Sequence, residues 1–168
     1  MSEDQTDRLA LPMLRAGKAQ KEVSHNEALT LLDMLVQASV EAVGVDDPPA
    51  SPQPGQCWIV GAAPNGAWAA HAGALACWTP GGWRFAAGRA GMRCWSLADG
   101  FAVRFDGDGW IAGDLAAARV VIGGNQVVGQ QRPAIAEPAP GSNEDAEARA
   151  VIGDILVALR THGLIAEG

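Results

Sequence analysis

In the stretch GKAQKEVSHNEALTLLDMLV, residues 17–36, the side chains of Lys18, Lys21, Glu22, His25 and Glu27 crowd into the first turns of a predicted helix. Ammonium, carboxylate and imidazole groups on neighbouring turns are what general acid–base catalysis or metal binding would use. The spacing supports neither. His25 is followed by Asn-Glu, with no second histidine four residues on, so the HExxH zinc pattern is absent. Gly17-Lys18 lacks both the upstream glycine and the following Ser or Thr of a phosphate loop. Lys21, Glu22 and His25 stand three and four residues apart, where they support a helix start. The stretch reads as the polar shoulder of a packing or docking helix.

Other candidate chemistries fail on similar grounds. Asp106 and Asp108 in DGDG suggest calcium, but no bidentate Glu follows at loop spacing, and a hairpin turn explains them. VIGGNQVVGQ has the wrong glycine spacing for a dinucleotide site and is followed by a Val pair; it reads as a Gly-Asn turn. Neither Cys94 nor Ser96 stands in a nucleophile motif such as GxSxG. Paired glycosidase carboxylates are disfavoured, because no Glu occurs between Gly55 and Gln131. The expectation is a protein that is not an enzyme, with no cofactor and no metal. Six Trp with no Tyr remain. Most are expected in the core, and an exposed pair such as Trp68 and Trp83 would be the best platform for stacking on a sugar.

The elements that position these residues fall into three segments, expected as domains 1–44, 55–131 and 132–168. In the first, Leu29, Leu32, Val36, Val40 and Val43 recur at helical steps, with Leu31 and Leu35 widening the stripe and Gly44 as a C-cap. The second is β in character. In ALACWTPGGWRF, Trp78 and Trp83 flank TPGG, and in FAVRFDGDGWIAG, Phe105 and Trp110 flank DGDG. This is the pattern of two related hairpins in one small meander, closed as a barrel or as two packed sheets. The third begins with RPAIAEPAPGS, a Pro-rich spacer, and then, with Ser142 and Asp145 as a capping box, a helix through NEDAEARAVIGDILVALRTHG. Ala148, Ile152, Ile155, Leu159 and His162 step as a heptad seam about two heptads long, too short to stand alone in water. The fold class is therefore α+β: an N-terminal helix, a small Trp-rich antiparallel β domain, and a C-terminal helix on a Pro-rich tether.

Composition narrows the function classes. Twelve basic residues against nineteen acidic ones give a net charge of −7, with no basic run to neutralise phosphates. Nucleic acid and anionic membrane are excluded as expected partners. No window is apolar enough for a membrane span, and MSEDQTDRLALPML lacks the apolar region of a signal peptide. Cys57, Cys77 and Cys94 are widely spaced and read as small core residues in a reducing cytoplasm.

LALPMLRAGKAQKEVSHNEALTLLDMLV, followed by a Pro-rich break and GQCWIVG, resembles a domain family of alphaproteobacterial prophages and gene transfer agents. Its members read close to LPxLxxGQAQKEVxHNEAL, with Lys18 here standing where Gln is commoner. The Gly-Ala-Trp and Gly-Gly-Trp hairpins also match, and the tail resembles a segment recurring on spike and fibre proteins of such phages. The resemblance implies a virion component, a head spike or tail fibre that supports attachment to host polysaccharide. The chain is short for a complete fibre, so the expected role is a homo-oligomeric head-spike base or adaptor carrying a longer partner, made in the cytoplasm and carried on the particle surface. Five copies suit a capsid vertex and three a fibre. Its expected oligomer contacts are Lys21, Glu22, His25, Asn26, Leu29, Leu32 and Val36 on the first helix and Ile152, Ile155 and Leu159 on the second. The alternative is a carbohydrate-binding module using Trp68 and Trp83.

Overall fold

The two aromatic-flanked turns close in the expected register: Trp78 pairs with Trp83, and Phe105 with Trp110. They belong to different sheets, however. The computed structural model describes residues 4–15, 21–137 and 145–166. It divides into two units, Met1–Asp114 and Leu115–Gly168.

In the first unit, helix α1 (Lys21–Leu35) is followed by short strands β1 (Ser39–Val40) and β2 (Val43–Val45). Next come β3 (Cys57–Val60), β4 (Leu75–Thr79), β5 (Gly82–Ala86), β6 (Arg93–Ser96), β7 (Phe101–Phe105) and β8 (Trp110–Ala112). Two four-stranded sheets result, ordered β2-β3-β4-β5 and β1-β6-β7-β8. Their topologies are the same. Each is a three-stranded antiparallel meander whose first strand takes a short parallel neighbour from residues 39–45. The architecture is α+β with two open sheets and two parallel pairings, where one antiparallel meander was expected.

The helix is shorter than its apolar period suggests. It stops at Leu35 because Gln37 adopts φ 45°, a left-handed conformation that ends helical hydrogen bonding. That turn is held from outside, since Arg8 donates to the carbonyl oxygens of Val36 and Gln37. Val40 and Val43, read as the end of the helical stripe, are β-branched and pair as strands. Gly44 lies inside β2 and caps nothing.

The sheet β2-β3-β4-β5 is covered on both faces, which explains why β3, Cys-Trp-Ile-Val, is apolar without alternation and entirely buried. One core joins Met34 of α1 to Val40, Cys57, Ile59, Leu75, Cys77, Cys94 and Val103. The other gathers Trp58, Val60, Trp68 and Ala76, with Trp78, Trp83 and Phe85 packed against them. Its rings meet edge to face, with centroids 5.0 Å apart for Trp68–Trp83 and 5.6 Å for Trp58–Trp83. Such a pair is worth about 0.5–1.5 kcal/mol beyond the area it buries.

The second unit pairs β9 (Val120–Ile122) with β10 (Asn125–Val128) and carries helix α2 (Ala146–Thr161). The β9–β10 turn is Gly123-Gly124, both at positive φ, and Asn125 opens the strand rather than forming the turn. Asp145 caps α2 by accepting from the Ala148 amide at 2.9 Å, while Ser142 lies outside the described residues. The described part of the Pro-rich segment is no free spacer. Arg132 bridges to Ile165, and Arg160 holds the Glu137 carboxylate at 2.7 Å and the Ile135 carbonyl at 2.9 Å. The boundaries expected at 44, 55 and 131 are thus replaced by one break after Asp114. Residues 39–45 supply an edge strand to each sheet, and Met34 supplies core to both, so the N-terminal segment and the β strands fold as one body.

Candidate functional site

Two polar residues of the opening stretch, Asn26 and Glu27, have structural partners. Lys18 lies outside the described residues, and of Lys21 only the backbone is described, as the first residue of α1. Asn26 grips the N-terminal arm with its whole amide. Its Oδ1 accepts from the Leu14 amide and its Nδ2 donates to the Leu14 carbonyl, both at 2.9 Å. Glu27 accepts from Arg84 Nε at 2.6 Å, tying α1 to β5. Glu22 is half-buried and His25 is exposed. Among the described residues of the stretch no acid, base and nucleophile converge.

Asp33 organises the same region. It stands inside the apolar run LTLLDMLV and is buried, 4% exposed. Its carboxylate accepts from the Thr6 hydroxyl at 2.8 Å, the Arg8 amide at 2.9 Å and the Leu9 amide at 2.7 Å. The Arg8 guanidinium donates in turn to the carbonyl of Asp33. The arm of residues 4–14 is thus laid along α1. Asp7 in this arm has its pKa raised, first by burial and then by the nearby Asp33 charge.

With Asn26, Glu27 and Asp33 engaged, the outer face of α1 combines the exposed His25 with apolar side chains. Glu27, Thr30, Leu31 and Met34 face inward, whereas Leu32 at 50% and Val36 at 46% exposure face out with His25, and Leu29 is half-buried. On α2, Leu156 is buried. The heptad seam is turned away: Ile152 is 44% and Ile155 53% exposed, Ala148 and His162 are exposed, and Leu159 is half-buried. Each helix therefore carries a buried position and an outer apolar face to which the described residues give no cover.

The Trp residues divide differently from the expectation. Trp68 is 0% exposed, locked between Trp58 and Trp83, and has no face for a ligand. Trp83 is half-buried and packed against Trp58, Trp68 and Trp78. The open ring is Trp95, 48% exposed on the outer face of β6, where it pairs with Ala102. Arg93 and Arg104 stand opposite each other on that same face. Strand parity is the signal that would have found Trp95: Cys94 and Ser96 are buried, so Trp95 between them points out.

A cleft of about 900 Å3 in the first unit is walled by His71, Phe85, Phe105 and Trp110 and includes Asp108. Its groups are engaged in packing, with His71 stacked 3.6 Å from Phe85 and Trp110 Nε1 donating to the Gly73 carbonyl at 2.8 Å. DGDG is a hairpin turn as expected. Asp106 accepts from the amides of Asp108 and Gly109, which lowers its pKa, the Gly109 bond contributing most. Among the described residues no group of His, Cys, Asp and Glu is arranged to hold a metal, and no helix is long and apolar enough to cross a membrane.

No curated protein matches the sequence. Residues 25–111, just over half the chain, match the family described as protein of unknown function (DUF2793). The match runs from the second turn of α1 into β8, covering both sheets with their paired meanders. On that match, the chain is a member of the DUF2793 family.

Proposed function

We propose that this protein is a structural virion component of a phage-like particle or gene transfer agent. It is a homo-oligomeric head-spike base or adaptor that anchors a longer spike or fibre and supports attachment to the host surface. The observation that carries the reading is the heptad-spaced seam of α2, which holds Ile152 and Ile155 in solvent while Leu156 is buried. Two helix turns of exposed Ile at coiled-coil spacing are stabilised by copies of the same helix, which bury the seam in knobs-into-holes packing. The outer face of α1 at Leu32, with Val36 just past the helix end, is a second contact of the same kind. The resemblance of LALPMLRAGKAQKEVSHNEAL to prophage and gene transfer agent sequences supports the particle. The partners are further copies of the chain, capsid or other virion proteins, and a longer spike or fibre, with no nucleic acid and no membrane.

The test is deletion of the gene, followed by electron microscopy and adsorption assays on released particles. Particles without vertex spikes or fibres, adsorbing poorly, are the expected result. Complete particles with normal adsorption would sink the reading.

A second reading, glycan binding through Trp, is favoured by the exposure of Trp95 beside the Arg93–Arg104 pair. An aromatic face with flanking guanidinium groups suits an acidic sugar. Specific binding on a glycan array that is lost in Trp95→Ala, with oligomerisation intact, would establish it.

A further inference from the structure

We infer that Cys57 and Cys77 form a reversible redox site, a cross-strand dithiol that a hydroperoxide converts to a disulfide within the β3–β4 pair. The two residues face each other in register on adjacent antiparallel strands, and both thiols are free. The Val60 amide donates to the Ala74 carbonyl and the Trp78 amide to the Gln56 carbonyl, both at 2.9 Å. These bonds mark 60/74 and 56/78 as hydrogen-bonded positions. By the two-residue period of the ladder, 57/77 is then a non-hydrogen-bonded position, where Cα atoms stand about 4.5 Å apart and side chains are closest. That spacing lies at the short end of the window of about 4.4–6.8 Å that a disulfide requires, so the two thiols are within bridging reach. Both side chains point into the same core cluster, at 1% and 3% exposure. Cys94 belongs to the other sheet, opposite Val103, and has no thiol across from it.

The site has an entrance and a nucleophile. Cys77 lines a cavity of about 500 Å3 bounded by the arm residues Thr6, Asp7 and Met13, by Asp33 of α1, and by Arg84 of β5. A hydroperoxide fits there with room to spare. Contact with Cys57 lowers the Cys77 pKa most, against burial and the Asp33 and Asp7 charges, which raise it; the Arg8 guanidinium lowers it as well, as it does that of Cys57. Cys77 as thiolate attacks the terminal peroxide oxygen, the O–O bond breaks, and the departing hydroxide or alkoxide takes up a proton. The sulfenic acid left on Cys77 is attacked by the Cys57 sulfur, the S–O bond breaks, and water leaves with the Cys57 proton. Two thiols and one hydrogen peroxide thus give one disulfide and two waters, and a dithiol reductant returns the pair to thiols by exchange, becoming a disulfide itself. The site stands on strand register and cavity, independently of the assembly proposed above.

The experiment exposes the reduced full chain to one equivalent of hydrogen peroxide, then counts thiols under denaturant and maps peptides by mass spectrometry. The thiol count is expected to fall from three to one, with loss of two hydrogens and a Cys57–Cys77 linked peptide. Cys94→Ser should leave the reaction intact, and dithiothreitol should restore the reduced mass. A count that stays at three, a linkage through Cys94, or oxygen addition to Cys77 without a linked peptide would overturn the proposal. These three are read on the unaltered chain, so they do not depend on the Cys94→Ser variant folding.

Discussion

Replacing Ile155 by Asp tests the assembly reading most directly, because the single chain and the oligomer predict opposite consequences. Ile155 is 53% and its seam neighbour Ile152 44% exposed. Full burial of an Ile side chain is worth about 1.5–3 kcal/mol, so the half still in water holds about 1 kcal/mol per residue per copy. The introduced carboxyl group forfeits that and must also be desolvated or protonated, which brings the cost to about 3 kcal/mol per copy. In a trimer the cost enters three times, about 9 kcal/mol in all, lowering the association constant by a factor on the order of 10⁶. The fold of the single chain should barely respond, since an exposed helical substitution costs about 0.5 kcal/mol. Sedimentation equilibrium across protein concentration is the assay, with circular dichroism as the control for fold. The expected result is a wild-type oligomer and a folded monomeric variant. A wild-type chain that is monomeric at about 100 µM would refute the reasoning, as would a variant that assembles like the wild type.

Asp33→Ala strips the N-terminal arm of a carboxylate that accepts three bonds, and should cost about 3 kcal/mol in urea unfolding. The loss is capped by the free energy of docking the arm, because an undocked arm rehydrates its amides. Limited proteolysis should accordingly cut first within residues 4–14. Asp7→Asn should raise stability at neutral pH. A carboxyl whose folded pKa lies above its unfolded value binds more protons in the native state, so wild-type stability falls as pH rises through that window. The two melting temperatures should converge by about pH 3, below the unfolded value near 3.9, and a constant difference at all pH values would contradict the cause assigned. Trp68→Ala should cost about 3–5 kcal/mol by emptying the ring cluster, whereas Trp95→Ala should change stability by about 0.5 kcal/mol or less; equal losses in chemical denaturation would void the division into buried and open rings.

Local order was legible in the sequence wherever neighbours along the chain decide it. The turns TPGG and DGDG, bracketed by aromatics, identified both hairpins to the residue, because a tight turn fixes cross-strand register by itself. The amphipathic period located both helices, and the lack of any spaced nucleophile or metal set turned attention from catalysis to packing. The end of α1 was misread because Val36, Val40 and Val43 continue the helical period, while the break at Gln37 depends on Arg8 reaching back from a distant segment. Asp33 was overlooked for the same reason, although a lone carboxylate in LTLLDMLV is the mark of a buried acceptor.

By itself, then, the sequence determined which segments become helix or hairpin. The tertiary structure alone decided how those segments are apportioned. It divided residues 39–45 between two sheets, buried Trp68 while opening Trp95, set Cys57 against Cys77, and turned Ile152 and Ile155 outward. Periodicity specifies which residues share a face, but which face meets the core depends on contacts between residues far apart in the chain.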